Sequence, residues 1–257
     1  MPSLAALLGH KIEIVNIYMS WNEPLPIDSI EAIAAQGAIP ELTWEQWPGG
    51  GGVNQPSYAD SVIASGTYDS YVNAVAVAAR TWGQPLLLRY AHEMNGNWYP
   101  WAASVNGNTP ASYVAAWRHV HNIFTAAGAS NVLWVWAPNA GGSTPISQVY
   151  PGDAYVDIVG MDGYNRSNGT TGYQAPPAVF SSLFSSVRTV APSKPVLITE
   201  TGTSEQAGNK ATWLEQLFAY VHAQPGLIGV VYFDYGAWSL DSSPQAMAGA
   251  VQGLSGL

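Results

Sequence analysis

The chain has 257 residues, 47% of them hydrophobic and 10% charged, a composition able to bury the core of one α/β barrel or of two small domains. Its formal net charge is −9, and its eight lysines and arginines are unclustered, which excludes the basic footprint that nucleic acid or an anionic membrane requires. There is no cysteine, hence no disulfide, thiolate metal site or cysteine nucleophile, and no apolar run reaches the roughly 18 residues of a membrane span.

The opening MPSLAALLGHK has no basic leader and too short an apolar stretch for a secretion signal, and it reads as a short helix ending at Gly9. Apolar runs and helical patterns then alternate. A strand is expected over 12–18, a helix over 28–36 and a strand over 39–45, followed by the flexible PGGGGVNQP loop (48–56). A helix over 67–81 leads to a strand over 85–91. Thr109 is a candidate N-cap for a helix over 109–127, with Pro110 at its first position, Gly128 beyond its end, and an inward stripe of Val114, Trp117, Val120 and Phe124. Strands over 131–137 and 156–162, a helix over 177–190 and a strand over 195–200 come next. In the helix over 210–224, Leu214, Leu217, Phe218 and Val221 have the spacing of one helix face. A strand over 227–234 and a helix over 243–253 finish the pattern. Nearly continuous apolar strands separated by helices imply a parallel sheet with both faces covered. The expectation is an α/β fold of (β/α)8 TIM-barrel type forming one domain over 1–257.

Polar and aromatic residues collect where these strands end: Trp44 and Glu45; Arg89, His92 and Glu93; Trp136 and Asn139; Asp162 and Tyr164; Glu200; Asp234 and Trp238. Barrel enzymes build their sites on that rim. The densest stretch is LLLRYAHEMNGNWYPW (86–101). Its His-Glu pair suggests the zinc-binding HExxH helix, but the position four after His92 is Gly96, in a turn-forming N-G-N, so no metal site is expected. His119 and His121 lie two apart on one helix and do not face each other, which suits packing better than ligation. Asn165 and Asn168 open glycosylation-type triplets that carry no weight.

Glu93 and Glu200 each close an apolar strand. A pair of carboxylates among aromatic rings suits glycoside hydrolysis, one protonating the leaving oxygen and the other attacking the anomeric carbon or activating water. RYAHEMNGNWYPW and ITETG, together with GMDGYN (160–165), YFD (232–234) and the Asp-Ser-Ser-Pro run at 241–244, closely resemble the signatures of glycoside hydrolase family 26, the β-mannanase-like members of a clan of retaining (β/α)8 glycosidases. The resemblance spans most of the chain from about residue 12. It implies Glu93 as general acid/base and Glu200 as nucleophile. His92 would bind the sugar beside the cleaved bond, and Arg89 and Asp162 would join the network around the carboxylates. Tyr164 would hydrogen-bond the nucleophile, Trp98 border the leaving group, and Trp238 lie under the sugar at the reaction centre. Trp44 and Trp47 are candidates for further sugar stacking. No cofactor is implied.

The implied activity is endo-acting, retaining hydrolysis of β-1,4-mannosidic bonds in mannan, glucomannan or galactomannan. The same glutamates would serve a mixed-linkage β-glucanase or a β-1,3-xylanase, and a non-catalytic carbohydrate-binding barrel is the reading from another class. A polysaccharide partner implies a secreted protein, expected as a monomer. One departure stands out. The resemblance places the acid/base at the end of the fourth strand and the nucleophile at the end of the seventh, yet Glu93 closes the third predicted strand here and Glu200 the sixth. The segment 57–65 follows its predecessor too closely for a parallel crossover, so the barrel is expected to lack its first strand, which would leave exposed strand edges.

Overall fold

A computed structural model describes residues 3–166 and 172–255. Its seven strands are β1 (Ile14–Ser20), β2 (Ile39–Glu45), β3 (Leu86–Tyr90), β4 (Val132–Trp136), β5 (Ile158–Asn165), β6 (Val196–Thr203) and β7 (Leu227–Tyr232). They pair in parallel in the order β1-β2-β3-β4-β5-β6-β7. Parallel neighbours require a return path between strands, and the helices supply it. These are α1 (Leu4–Leu8), α2 (Ile27–Ala35), α3 (Asp60–Ala64), α4 (Asp69–Trp82), α5 (Pro110–Ala127), α6 (Ile146–Val149), α7 (Pro176–Val190), α8 (Lys210–Ala223) and α9 (Pro244–Leu254).

Local chemistry explains the helix ends. Gly9 closes α1 with φ of 62°, where a side chain would be strained. Thr109 and Ser112 cap α5 reciprocally, Pro110 takes the first position, and Gly128 ends the helix at φ 77°. The buried face of α5 carries Trp117, Val120 and Phe124 as expected, but Tyr113 replaces Val114, which is only half-buried. The Tyr113 hydroxyl explains the choice, since it reaches inward and donates to the Ala91 carbonyl at 3.2 Å. On α8, Leu214, Leu217, Phe218 and Val221 are all buried. The segment around 57–65 is a 3-10 turn followed by α3, not a strand.

The sheet curls. Tyr18 on β1 donates a hydrogen bond to Glu200 on β6, five strands away in the sheet order. In a flat sheet that separation would be about 24 Å, far beyond a tyrosine's reach. Curling gives the sheet an outer face that packs on the helices and an inner face that looks across the barrel. Trp44, Tyr90, Trp117, Phe124 and Trp134 fill the outer layer as a set of ring contacts. Asn16, Thr43, Arg89, Asp162 and Thr199 bond to one another or to a shared partner on the inner face. Among the described residues β1 and β7 are the edges of the sheet and do not pair with each other, although the curl brings them close. Tyr18 and Ile228 are 42% and 57% exposed at those edges. The described residues thus form seven parallel strands, as counted from the sequence.

Candidate active site

Glu200 lies within β6, where the pairing with both neighbouring strands shifts register, and has both carboxylate oxygens occupied. Tyr164, from the end of β5, donates to Oε1. Oε2 accepts from Arg89 Nη2 at 2.7 Å and from the Tyr18 hydroxyl at 2.6 Å. Arg89 on β3 is fully buried and fully engaged. Its Nη1 donates to Asp162 at 2.7 Å, its Nε to Thr43 at 2.8 Å, and Thr199 donates to the other Asp162 oxygen at 2.6 Å. One guanidinium thus spans two carboxylates in the fixed fork geometry that lysine could not reproduce. Burial alone would raise the Glu200 pKa, but the Arg89 charge and the two phenol donors outweigh it and hold the carboxyl down at about 2. A nearby His92 charge would act in the same direction, but burial and Arg89 push His92 well below its usual range, so it stays neutral and contributes little at neutral pH.

Glu93 stands differently. It does not close β3 but lies three residues beyond it, in a turn where Ala91 and Glu93 have φ of 44° and 53°. Side chains seldom occupy that left-handed region, at a cost of roughly 1–3 kcal/mol each. The turn is held because its backbone groups are engaged with both neighbouring strands. Ala91 N donates to Trp44 O at 3.1 Å, Glu93 N to Ala137 O at 2.7 Å, and the Trp101 indole to His92 O at 2.6 Å. The Glu93 carboxyl accepts from Asn139 Nδ2 at 2.6 Å and from Trp98 Nε1 at 2.5 Å. Burial and the Glu200 charge raise its pKa, and the two donors and Arg89 only partly offset them. The two glutamates are therefore biased toward opposite protonation states, the division of labour that acid/base chemistry beside a charged nucleophile demands.

Arg89, Asp162 and Tyr164 join the Glu200 network, and Trp98 reaches Glu93 with 37% of its surface exposed. Trp238 is half-buried, its ring 5.4 Å from Tyr164 and 5.7 Å from Phe233. Gly202 makes room for it, because a Cβ there would sit 3.2 Å from both Trp238 and Tyr164. Two expectations need correction, for Trp44 and His92. Trp44 is fully buried in the outer layer, stacked on Trp21 at 4.8 Å, and has no free face for a sugar. His92 is also fully buried, between Tyr99 and Trp101, with the Tyr99 hydroxyl 3.2 Å from its Nε2, so no face of it is open to a sugar. Trp47 is half-buried, stands edge-on to Tyr99 and Trp101 and donates to Glu45. His119 pairs with Asp69 at 2.6 Å, Asn165 is buried against Thr203, and Asn168 lies outside the described residues. Among the described residues no group of three His, Cys, Asp or Glu is placed to hold a metal ion.

Comparison with known proteins matches the sequence profile of Glycosyl hydrolase family 26 to residues 11–214, a stretch that contains the Glu93 turn, the Arg89 fork and the Glu200 strand. The chain belongs to glycosyl hydrolase family 26. Endoglucanase H of Acetivibrio thermocellus is 34% identical over 96% of the chain and 28% of its own length. Mannan endo-1,4-beta-mannosidase A and B of Caldalkalibacillus mannanilyticus is 30% identical over 65% of the chain and 30% of its own length. The chain thus spans under a third of these two relatives. In fold, this family 26 chain is similar to a GH26 beta-mannanase from Bacteroides ovatus, with a TM-score of 0.70 at 18% identity, covering 94% of this chain and 78% of that one. The catalytic domain of a Bacillus endo-beta-1,4-mannanase gives 0.68 at 22% identity, covering 89% and 68%.

Proposed function

We propose that the protein is a retaining endo-β-1,4-mannanase that cleaves mannan, glucomannan or galactomannan by double displacement. The observation that carries this reading is the opposed ionisation of its two glutamates, Glu200 held anionic by Arg89 and two phenols and Glu93 raised by burial beside it. In the first step a Glu200 oxygen attacks the anomeric carbon, the glycosidic C–O bond breaks, and the departing oxygen takes the Glu93 proton. The resulting ester removes the negative charge of Glu200, so Glu93 ionises more readily. In the second step Glu93 takes a proton from water, the water oxygen bonds to the anomeric carbon, and Glu200 leaves as carboxylate. Trp238 serves as the platform under the reacting sugar and Trp98 borders the leaving group. The reaction needs no cofactor. A substrate too large to import supports secretion, and one chain carries every group the two steps use, which supports action as a monomer.

One observation favours a second substrate for the same mechanism. The relative matched over nearly the whole chain is named an endoglucanase, whereas the mannosidase above is matched over 65% of it. Reducing-sugar release from galactomannan and from mixed-linkage β-glucan, measured side by side, decides between them. Preference for galactomannan is expected. Preference for β-glucan moves the substrate and keeps both glutamates, and release from neither by folded protein overturns the enzymatic reading. Proton NMR of the first product anomer tests retention.

A further inference from the structure

We propose that Asn139 is the positioning residue of the acid/base, fixing the Glu93 carboxyl in place and setting how tightly it holds the catalytic proton. The inference rests on the glycosidase reading above. Of the two donors to Glu93, Trp98 sits on a partly exposed loop, whereas Asn139 is buried and both ends of its amide are committed. Its Nδ2 donates to Glu93 Oε1 at 2.6 Å, and its Oδ1 accepts from Gly141 N at 2.7 Å. A flipped amide would lose the second bond and set oxygen against oxygen, so the donor faces the carboxyl in one sense only.

The Asn139 backbone is gripped as well. Asn95, two residues beyond Glu93, accepts from Asn139 N and donates to Asn139 O, both at 2.8 Å. Gly142 leaves room for that amide, since a Cβ there would fall 2.0 Å from Asn95 Nδ2. On the other side, Ala140 N donates to Asp162 O at 2.8 Å and Asp162 N to Pro138 O at 3.0 Å. Asp162 holds Arg89, and Arg89 holds Glu200. Asn139 is therefore fixed relative to both glutamates, through the acid/base turn in one direction and through β5 in the other.

This placement has a chemical consequence. Asn139 donates to Oε1 and the Trp98 indole to Oε2, so each oxygen of the carboxyl accepts one N–H, one from a buried amide held at both ends and one from a partly exposed ring. When Glu93 ionises and later takes a proton from water, the bond from Asn139 keeps its carboxyl in the same place. The donor also favours the carboxylate, opposing burial and the Glu200 charge. The other charged or titratable groups acting on this carboxyl are Arg89, Asp162 and Tyr99.

The test is Asn139→Ala and Asn139→Asp, with a thermal melt to show that each folds. Two substrates are compared: the polysaccharide the wild type prefers, and an aryl glycoside whose dinitrophenolate leaves without a proton. For Asn139→Ala, kcat/KM on the polysaccharide is expected to fall about 10- to 100-fold, part of the roughly 10²–10⁴ that general acid catalysis supplies. On the aryl glycoside it should fall less than about 3-fold, since that step needs no acid. The alkaline limb of the polysaccharide profile should move up by about one pH unit, the size of one lost charge-assisted hydrogen bond. Asn139→Asp, which cannot donate when ionised, should move it further. Equal losses on both substrates with an unmoved limb mean a merely structural residue and overturn the inference. If Glu93→Ala shows the leaving-group dependence and Asn139→Ala does not, the inference alone fails. A wild type inactive on both substrates sinks the glycosidase reading and the inference with it.

Discussion

Glu41 on β2 is fully buried, shares the inner face with Thr43 and Arg89, and has no hydrogen-bond partner on either carboxylate oxygen among the described residues. Burial raises its pKa from 4.5 to about 7, with the Arg89 charge opposing and the Glu200 charge assisting. The sign follows from linkage. Below pH 4.5 the group is protonated in both folded and unfolded chains and favours neither. Between 4.5 and 7 the unfolded chain ionises while the folded one keeps its proton, so stability falls as pH rises, and the penalty is complete above 7. Taking the difference between the two values as about 2.5 in pH, at 1.36 kcal/mol each, the ceiling is about 3.4 kcal/mol, of which roughly 1–3 should be realised. Glu41→Gln holds the side chain permanently neutral. Its melting temperature should exceed the wild type's by about 3–10 °C at pH 8, from roughly 2–4 °C per kcal/mol for a chain of this size, and should match it at pH 4. Calorimetry of both proteins across pH 4–8 reads this directly. An equal offset at every pH would mean that a contact rather than a titration is responsible. No offset at pH 8 would refute the claim that burial makes this carboxyl costly to ionise.

The remaining predictions concern the site. Tyr18→Phe removes one donor to the nucleophile, and kcat/KM should fall about 10- to 100-fold for a bond to a charged group worth about 1.5–3 kcal/mol, with little change in melting temperature. Unaltered kinetics would show that Tyr164 and Arg89 suffice. Glu200, whose folded pKa is about 2 against 4.5 unfolded, lends stability above pH 4.5 that is lost as pH falls toward 2. Between pH 5 and 3 the wild type should therefore lose more stability than Glu200→Gln, by up to about 2 kcal/mol in denaturant titrations. Trp44→Ala should destabilise the fold by about 3–5 kcal/mol as a cavity in the outer layer. Oligosaccharide affinity of the folded fraction, read by calorimetry, should stay constant, and a selective loss of affinity would restore Trp44 to the sugar site.

The strands were legible because both of their faces are covered, which makes apolar runs long enough to stand out. β5 and β6 run on to Asn165 and Thr203, three residues past the runs expected from sequence, because their last residues turn polar as they enter the site. The two glutamates, Arg89, Asp162 and Tyr164 were found through motif and strand-end position together. Tyr18 was missed, since it sits inside an apolar run and only the curl of the sheet brings it to Glu200. Trp44 was misassigned for a readable reason. Along β2, Glu41, Thr43 and Glu45 alternate with Leu42 and Trp44, so the two-residue period sends the tryptophan outward to the helices. Asn139 stood at a strand end like many others, and its importance lies in a turn with unusual backbone angles at Glu93 that no local pattern announces.

Double displacement requires that Glu200 become covalently attached to the sugar. It is tested most directly by incubating the protein with 2-deoxy-2-fluoro glycosyl fluorides of the β-manno and β-gluco disaccharides and mapping the product by mass spectrometry. The account predicts a single added glycosyl group on the peptide carrying Glu200, from the manno reagent in preference to the gluco one, and none in Glu200→Ala. An adduct on another residue, or turnover of the polysaccharide with inversion and no adduct, would contradict it.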